Sequence, residues 1–265
     1  MSVTYQNAPL VEIIAEVRWG PAAEPFNVAG GIRVSLPRTK DEELLMHFGA
    51  EISAAGFGRI ERLAPPGMPL PVAQVACRFR PTDPTKQSPL FQLGRGVFTS
   101  NAVPPDYSSW ADFRPVVQTG LECLFRAHER SGEPRPHINM VLVRYIDAFG
   151  PDLTNGMEPL NFLREVMGLG LTLPSAISEL VSDGATIRPS IQLSIPMQLG
   201  QMQLTFGPGV RENQEAMMLD TTLVIQRDIG DSCEAALSAL TEARGAIHDL
   251  FLSLTARIHN AMKPS

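Results

Sequence analysis

The feature that most constrains this chain lies near its end, where Leu237, Leu240, Ile247, Phe251, Leu254 and Ile258 recur in alternating three- and four-residue steps with one skip at Arg244. That spacing predicts an amphipathic helix, capped by Asp231 or Ser232 and reaching about Met262. Burying each of these side chains is worth roughly 1.5–3 kcal/mol, so the helix must dock on something. Two partners fit the pattern: the chain's own sheet, or the same helix of a second copy, in which Arg244 fixes the register as a polar interruption.

Elsewhere the chain reads mostly as strands. Val11, Ile13, Ala15, Val17 and Trp19 alternate with Glu12, Glu16 and Arg18, which predicts a strand over 10–19 with one polar face, entered through Asn7-Ala8-Pro9. Further strands are expected at 32–36, 72–79, 90–93, 97–101, 138–149, 187–195, 201–206 and 216–227. Helices are expected at 41–55 and, after the cap-like Ser109-Trp110-Ala111-Asp112, as far as about Arg130. Pro115 falls beyond the first turn of that helix, so either a kink or a later start is expected. Two short helical stretches, 160–167 and 174–181, flank Gly168-Leu169-Gly170-Leu171, which marks a seam. Three strands followed by a long helix thus occur twice. The fold class is α+β, with antiparallel sheets backed by long helices and two similar strand-strand-strand-helix halves, an N-terminal one over 1–150 and a C-terminal one over 151–265.

Composition narrows function. Lys+Arg 22 against Asp+Glu 28 gives a net charge of −6, which disfavours a dedicated DNA or RNA binder, because such binding draws on cations that release counterions from phosphates. No run of about 18 apolar residues occurs, and MSVTYQNAPL has neither a basic flank nor an apolar signal core, so a cytoplasmic protein without a membrane partner is expected. Lys40, Lys86 and Lys263 are the only lysines, leaving arginine to carry nearly all the positive charge. Cys77, Cys123 and Cys233 are odd in number and widely spaced, which fits buried apolar side chains better than disulfides or a zinc cluster. The five histidines show no paired ligand spacing, and the serine-elbow, Walker and dinucleotide glycine motifs are missing; no metal or cofactor is therefore expected, and catalysis is disfavoured. Cys123 with a histidine is the one nucleophile pair the sequence leaves open.

A few polar residues stand out as ligand-binding candidates. Arg78 and Arg80 alternate onto one strand face, where a guanidinium fork grips anions or simply meets solvent. Glu12 and Arg144 pair across the sheet if their strands are neighbours, and Tyr107 and Trp110 supply aromatic walls.

Several of these residues also form a pattern. Tyr5-x-Asn7-Ala8-Pro9-Leu10-Val11-Glu12, then Phe91-Gln92-Leu93-Gly94, Asn101, Tyr107, Trp110 and Phe113, then Arg144-Tyr145-Ile146, resemble a sporadically distributed bacterial family of conserved hypothetical proteins that opens with this Tyr-x-Asn-Ala-Pro motif. The chain departs from that family at Asp147, where the resemblance implies asparagine. The resemblance implies a two-part α+β architecture and, through patchy occurrence, defence or toxin–antitoxin settings. The expectation is a protein-interaction or regulatory module that self-associates and takes a protein partner. The alternative is a small-molecule or nucleotide site between sheet and helix.

Overall fold

A computed structural model describes residues 5–20, 39–65, 70, 72–182 and 185–264. The expected strand at 32–36 lies outside the described residues. The fold is α+β, built on a nine-stranded antiparallel sheet. In chain order the strands are β1 (Leu10–Trp19), β2 (Arg59–Arg62), β3 (Val75–Arg80), β4 (Leu90–Gly94), β5 (Val97–Ala102), β6 (Ile138–Phe149), β7 (Ile191–Pro196), β8 (Gln201–Arg211) and β9 (Gln214–Gly230). The helices are α1 (Thr39–Ala54), α2 (Trp110–Arg130), α3 (Pro151–Thr154), α4 (Pro159–Glu165), α5 (Ser175–Leu180), α6 (Cys233–Thr255) and α7 (His259–Met262).

The strand order is β2-β3-β4-β5-β1-β6-β9-β8-β7. Read outward from β1 and β6 it runs β5, β4, β3 one way and β9, β8, β7 the other. Each run of three consecutive strands is followed in the chain by a long helix, α2 after β5 and α6 after β9, so the doubled strand-strand-strand-helix pattern is present in the topology.

The chain forms two compact units. The first comprises Met1–Glu12, Arg144–Leu223 and Arg244–Ser265, and the second Ile13–Val143 and Val224–Ala243. Consequently β1, β6, β9 and α6 each contribute residues to both.

In the second unit, α1 and α2 supply apolar faces to the sheet. Phe48 of α1 meets Phe79 and Phe98 with ring centroids 4.9 and 5.7 Å apart. Gly120 explains how closely α2 approaches: a Cβ there would lie 2.6 Å from ring atoms of both Phe91 and Phe98. Ser109 caps α2 by accepting from the Asp112 amide at 3.3 Å. The helix starts at Trp110 and holds Pro115 inside it, so the later start does not occur.

In the first unit Tyr5–Asn7 meet Met262–Pro264. The Gln6 and Asn7 amides donate to the carbonyls of Lys263 and Met262, each at 3.0 Å. The Asn7 side chain donates to Asp152 at 2.8 Å. The opening motif of the resemblance therefore fastens strand β1 to α3 and to the end of α7. Ser232 accepts from the Ala235 amide as one of the two expected caps, but α6 ends at Thr255, followed by a 3-10 turn over Ala256–Ile258. Leu237, Leu240, Ile247 and Ile258 are buried within the single chain.

Candidate functional site

The predicted site residues fall into separate groups. In the first unit, strand alternation puts Arg144 on one face of β6 and Asp147 on the other, with Val143 and Tyr145. Arg144 grips Asp220 of β9 as a fork: Nε donates to the two carboxylate oxygens at 2.8 and 3.0 Å, and Nη2 donates to Oδ2. These bonds hold the Arg144 pKa above its ordinary value, against burial and with help from the nearby Glu12 charge. The expected Glu12–Arg144 association is thus a secondary charge contact, and Asp220 is the hydrogen-bonded partner.

Asp147 is 3% exposed. Burial pushes its pKa up from 3.8 to about 7, with Arg211 pulling it down and Asp220 adding to the rise. Arg211 donates to the Ala148 carbonyl at 3.2 Å and to the Ala8 carbonyl at 3.5 Å, which spends its guanidinium on strand ends. A carboxyl still partly protonated near pH 7 offers the proton a general acid needs, yet acid catalysis also requires reach to a substrate.

In the second unit Arg78 belongs to a row that crosses five strands. The register sets Glu61 opposite Arg78, Arg78 opposite Gln92, Gln92 opposite Thr99 and Thr99 opposite Glu16. Arg78 donates to Glu61 at 3.1 Å and to Gln92 at 3.4 Å. The Gln92 amide donates onward to Thr99 and Asn101, each at 3.2 Å, and Thr99 donates to Asn101 at 2.8 Å. Glu16 accepts from Arg18 at 2.5 Å. Arg80 donates to the Gln87 carbonyl at 2.9 Å, and its Nε lies 3.9 Å from the same Glu61 carboxylate. The two arginines expected to form one fork have different hydrogen-bond partners.

Tyr107 and Trp110 share this unit, but both are buried and edge-packed on Phe113, with centroids 5.7 and 6.1 Å away. Trp110 Nε1 donates to Thr241 at 3.1 Å. Cys123 is fully buried, and burial pushes its thiol pKa up despite Arg126 beside it, so the thiolate that nucleophilic attack requires is disfavoured. Burial pushes the pKa of His128, on the same helix, below its ordinary value, with Trp19 edge-on at 5.6 Å. Among the described residues no group of three or more His, Cys, Asp or Glu is placed to hold a metal ion, and no helix is long and apolar enough to cross a membrane.

The first unit also carries a cleft of about 200 Å³. Its lining includes Phe149, Phe162, Met157 and Met217, with Arg188 and Glu215 among its polar residues. Arg188 donates to Glu215 at 2.6 Å. None of the five predicted site residues lines it, nor does Asp147. Sequence reasoning missed Asp220 and the cleft. Asp220 had a usable signal, as the one charge in the apolar stretch Met217–Ile225. The cleft had none, because its lining comes from four separate stretches of chain.

No protein-family model and no curated protein matches the chain. Among solved structures it is similar to DynU16 of the dynemicin biosynthetic locus, at 13% identity over 83% of this chain and 96% of that one, with a TM-score of 0.23. It is also similar to the S. pombe Pct1 RNA triphosphatase, at 10% identity over 97% of this chain and 86% of that one, with a TM-score of 0.13. At these TM-scores neither likeness carries an argument.

Proposed function

We propose that the chain is a non-catalytic protein-interaction or regulatory module of the cytoplasm. One observation carries this reading: the polar side chains most suited to a ligand are already committed to neighbours in the same chain. Arg144 forks onto Asp220, and Arg78 spans Glu61 and Gln92. A free ligand would have to outcompete partners held at no translational cost. The proposal includes membership in the bacterial family that the opening motif resembles, and with it a defence or toxin–antitoxin setting. An acidic chain of net charge −6 suits a basic protein partner through electrostatic steering.

Thermal unfolding in the presence of nucleotides, inorganic phosphate or short acyl compounds tests the reading. No rise in Tm is expected at millimolar concentration. A rise that Arg144→Ala or Arg78→Ala abolishes overturns it, since binding to the folded state alone must stabilise. A second reading, small-molecule binding, draws on the cleft at Phe149 and Phe162 and would show as a Tm rise that those arginine variants leave intact.

A further inference from the structure

Strand β7 ends the sheet order, with β8 on one side and, among the described residues, no strand on the other. Its hydrogen-bond direction follows from the turn. Met197 and Gly200 exchange both main-chain bonds, at 2.8 and 3.2 Å. Alternation along the antiparallel ladder then commits the main-chain groups of Ile195, Leu193 and Ile191 to β8, and aims those of Gln192, Ser194 and Pro196 away from it. Pro196 has no N–H to leave unsatisfied, as suits an outer strand.

Natural outer strands are guarded by charge, and this one is not. From Pro189 to Val210 the sequence holds no charged residue. The apolar stripe of β8 also runs out at β7. Met202, Leu204 and Phe206 are buried, while their register partners Ile195, Leu193 and Ile191 are not, Ile195 being 37% exposed.

We propose that β7 pairs antiparallel with β7 of a second copy of this chain, about a two-fold axis through Leu193. This rests on the interaction reading above and names the partner of that surface. The strand is self-complementary in this register: Ile191 faces Ile195, Leu193 faces Leu193 and Gln192 faces Ser194. The apolar side chains meet on one sheet face, where they complete the stripe that β8 begins. Gln192 and Ser194 each exchange two main-chain bonds with the opposite strand, which makes four. Sliding the pair by two residues one way sets Gln192 against Pro196 and loses an N–H donor. Sliding it the other way sets Ile195 against Pro189 and moves the pairing off the strand. A single strand pair is a small interface, so the dimer is weak, forming at roughly tens of micromolar or above.

Leu193→Cys tests the register. Facing residues of a non-hydrogen-bonded antiparallel pair have Cα atoms about 4.5 Å apart, within disulfide range. Mild oxidation at about 100 μM is expected to give a covalent dimer of L193C on a non-reducing gel, and none for the parent chain or Ser194→Cys. Sedimentation of the parent chain is expected to show a dimer that grows with concentration, and the double variant Gln192→Lys with Ser194→Lys, both at exposed positions, is expected to stay monomeric with an unchanged Tm. A parent chain that is monomeric up to about 200 μM, an L193C that does not cross-link, or an S194C that cross-links equally overturns the proposal. Such a result leaves the broader interaction reading standing, since that reading falls on the ligand-dependent Tm experiment.

Discussion

In the second unit Arg78 reaches buried Thr99 and Asn101 through the neutral amide of Gln92, and its charge is met at the rim by Glu61. In the first unit the carboxyl of Asp147 is itself buried, with Arg211 turned to main-chain carbonyls rather than to an ion pair with it. The outer strands differ in the same sense. Strand β2 reads Arg-Ile-Glu-Arg, and its Arg62 forks onto Glu42. Strand β7 carries no charge at all. Amides and hydroxyls relay polarity into a sheet at little cost, whereas a buried acid leaves its region sensitive to solution conditions.

The largest expected effect breaks that contrast at Asp147. Its folded pKa of about 7 exceeds the ordinary 3.8, so between those values the folded chain holds a proton that the unfolded chain has released. Stability therefore falls as pH climbs through this window and levels off above it. Asp147→Asn is expected to remove that slope and to gain stability at pH 8, up to on the order of 4 kcal/mol. Urea unfolding of both proteins at pH 5 and pH 8 measures it; equal losses between the two pH values in parent and variant would refute the burial argument.

Gly120→Ala carries strain into the second unit. Its new methyl meets the rings of Phe91 and Phe98, both essentially without solvent exposure and unable to retreat. A loss of about 1–3 kcal/mol in chemical denaturation is expected. Parent-like stability would mean that the contact between α2 and the sheet relaxes.

The smallest effect concerns Arg144 and Asp220. The Arg144 side chain is 41% exposed, so solvent screening limits the pair to about 1 kcal/mol despite its two-pronged geometry. A double-mutant cycle of Arg144→Met and Asp220→Asn reads this coupling from unfolding midpoints. A coupling near zero would reduce the pair to a surface contact.

Elements with a long period were legible in the sequence. Strand β6 matches its expected bounds at both ends, and α2 starts directly after its Ser109 cap. Short or mixed elements were not. The four residues of β2 include three charges and show no alternation, and α3 spans a single turn. The strand expected at 201–206 stops short of Gly207-Pro208-Gly209, yet β8 runs on through them to Arg211. The turn follows at Glu212-Asn213, where both residues take positive φ. The Arg144 partner stayed hidden for a topological reason. Period-two alternation indicates which face a side chain takes, but strand order decides which strand lies beside it, and Asp220 is 76 residues away.

Burial of Asp147 also couples a proton to the breathing of β6. The neighbouring Ala148 amide is tied to the Pro9 carbonyl at 2.7 Å. Between about pH 4 and pH 7, opening of this stretch to water releases a proton that the closed strand holds, and resealing takes one back. Opening is therefore favoured as pH rises through that window, so exchange at that amide accelerates across it beyond what hydroxide catalysis alone would give, and the excess levels off above about pH 7.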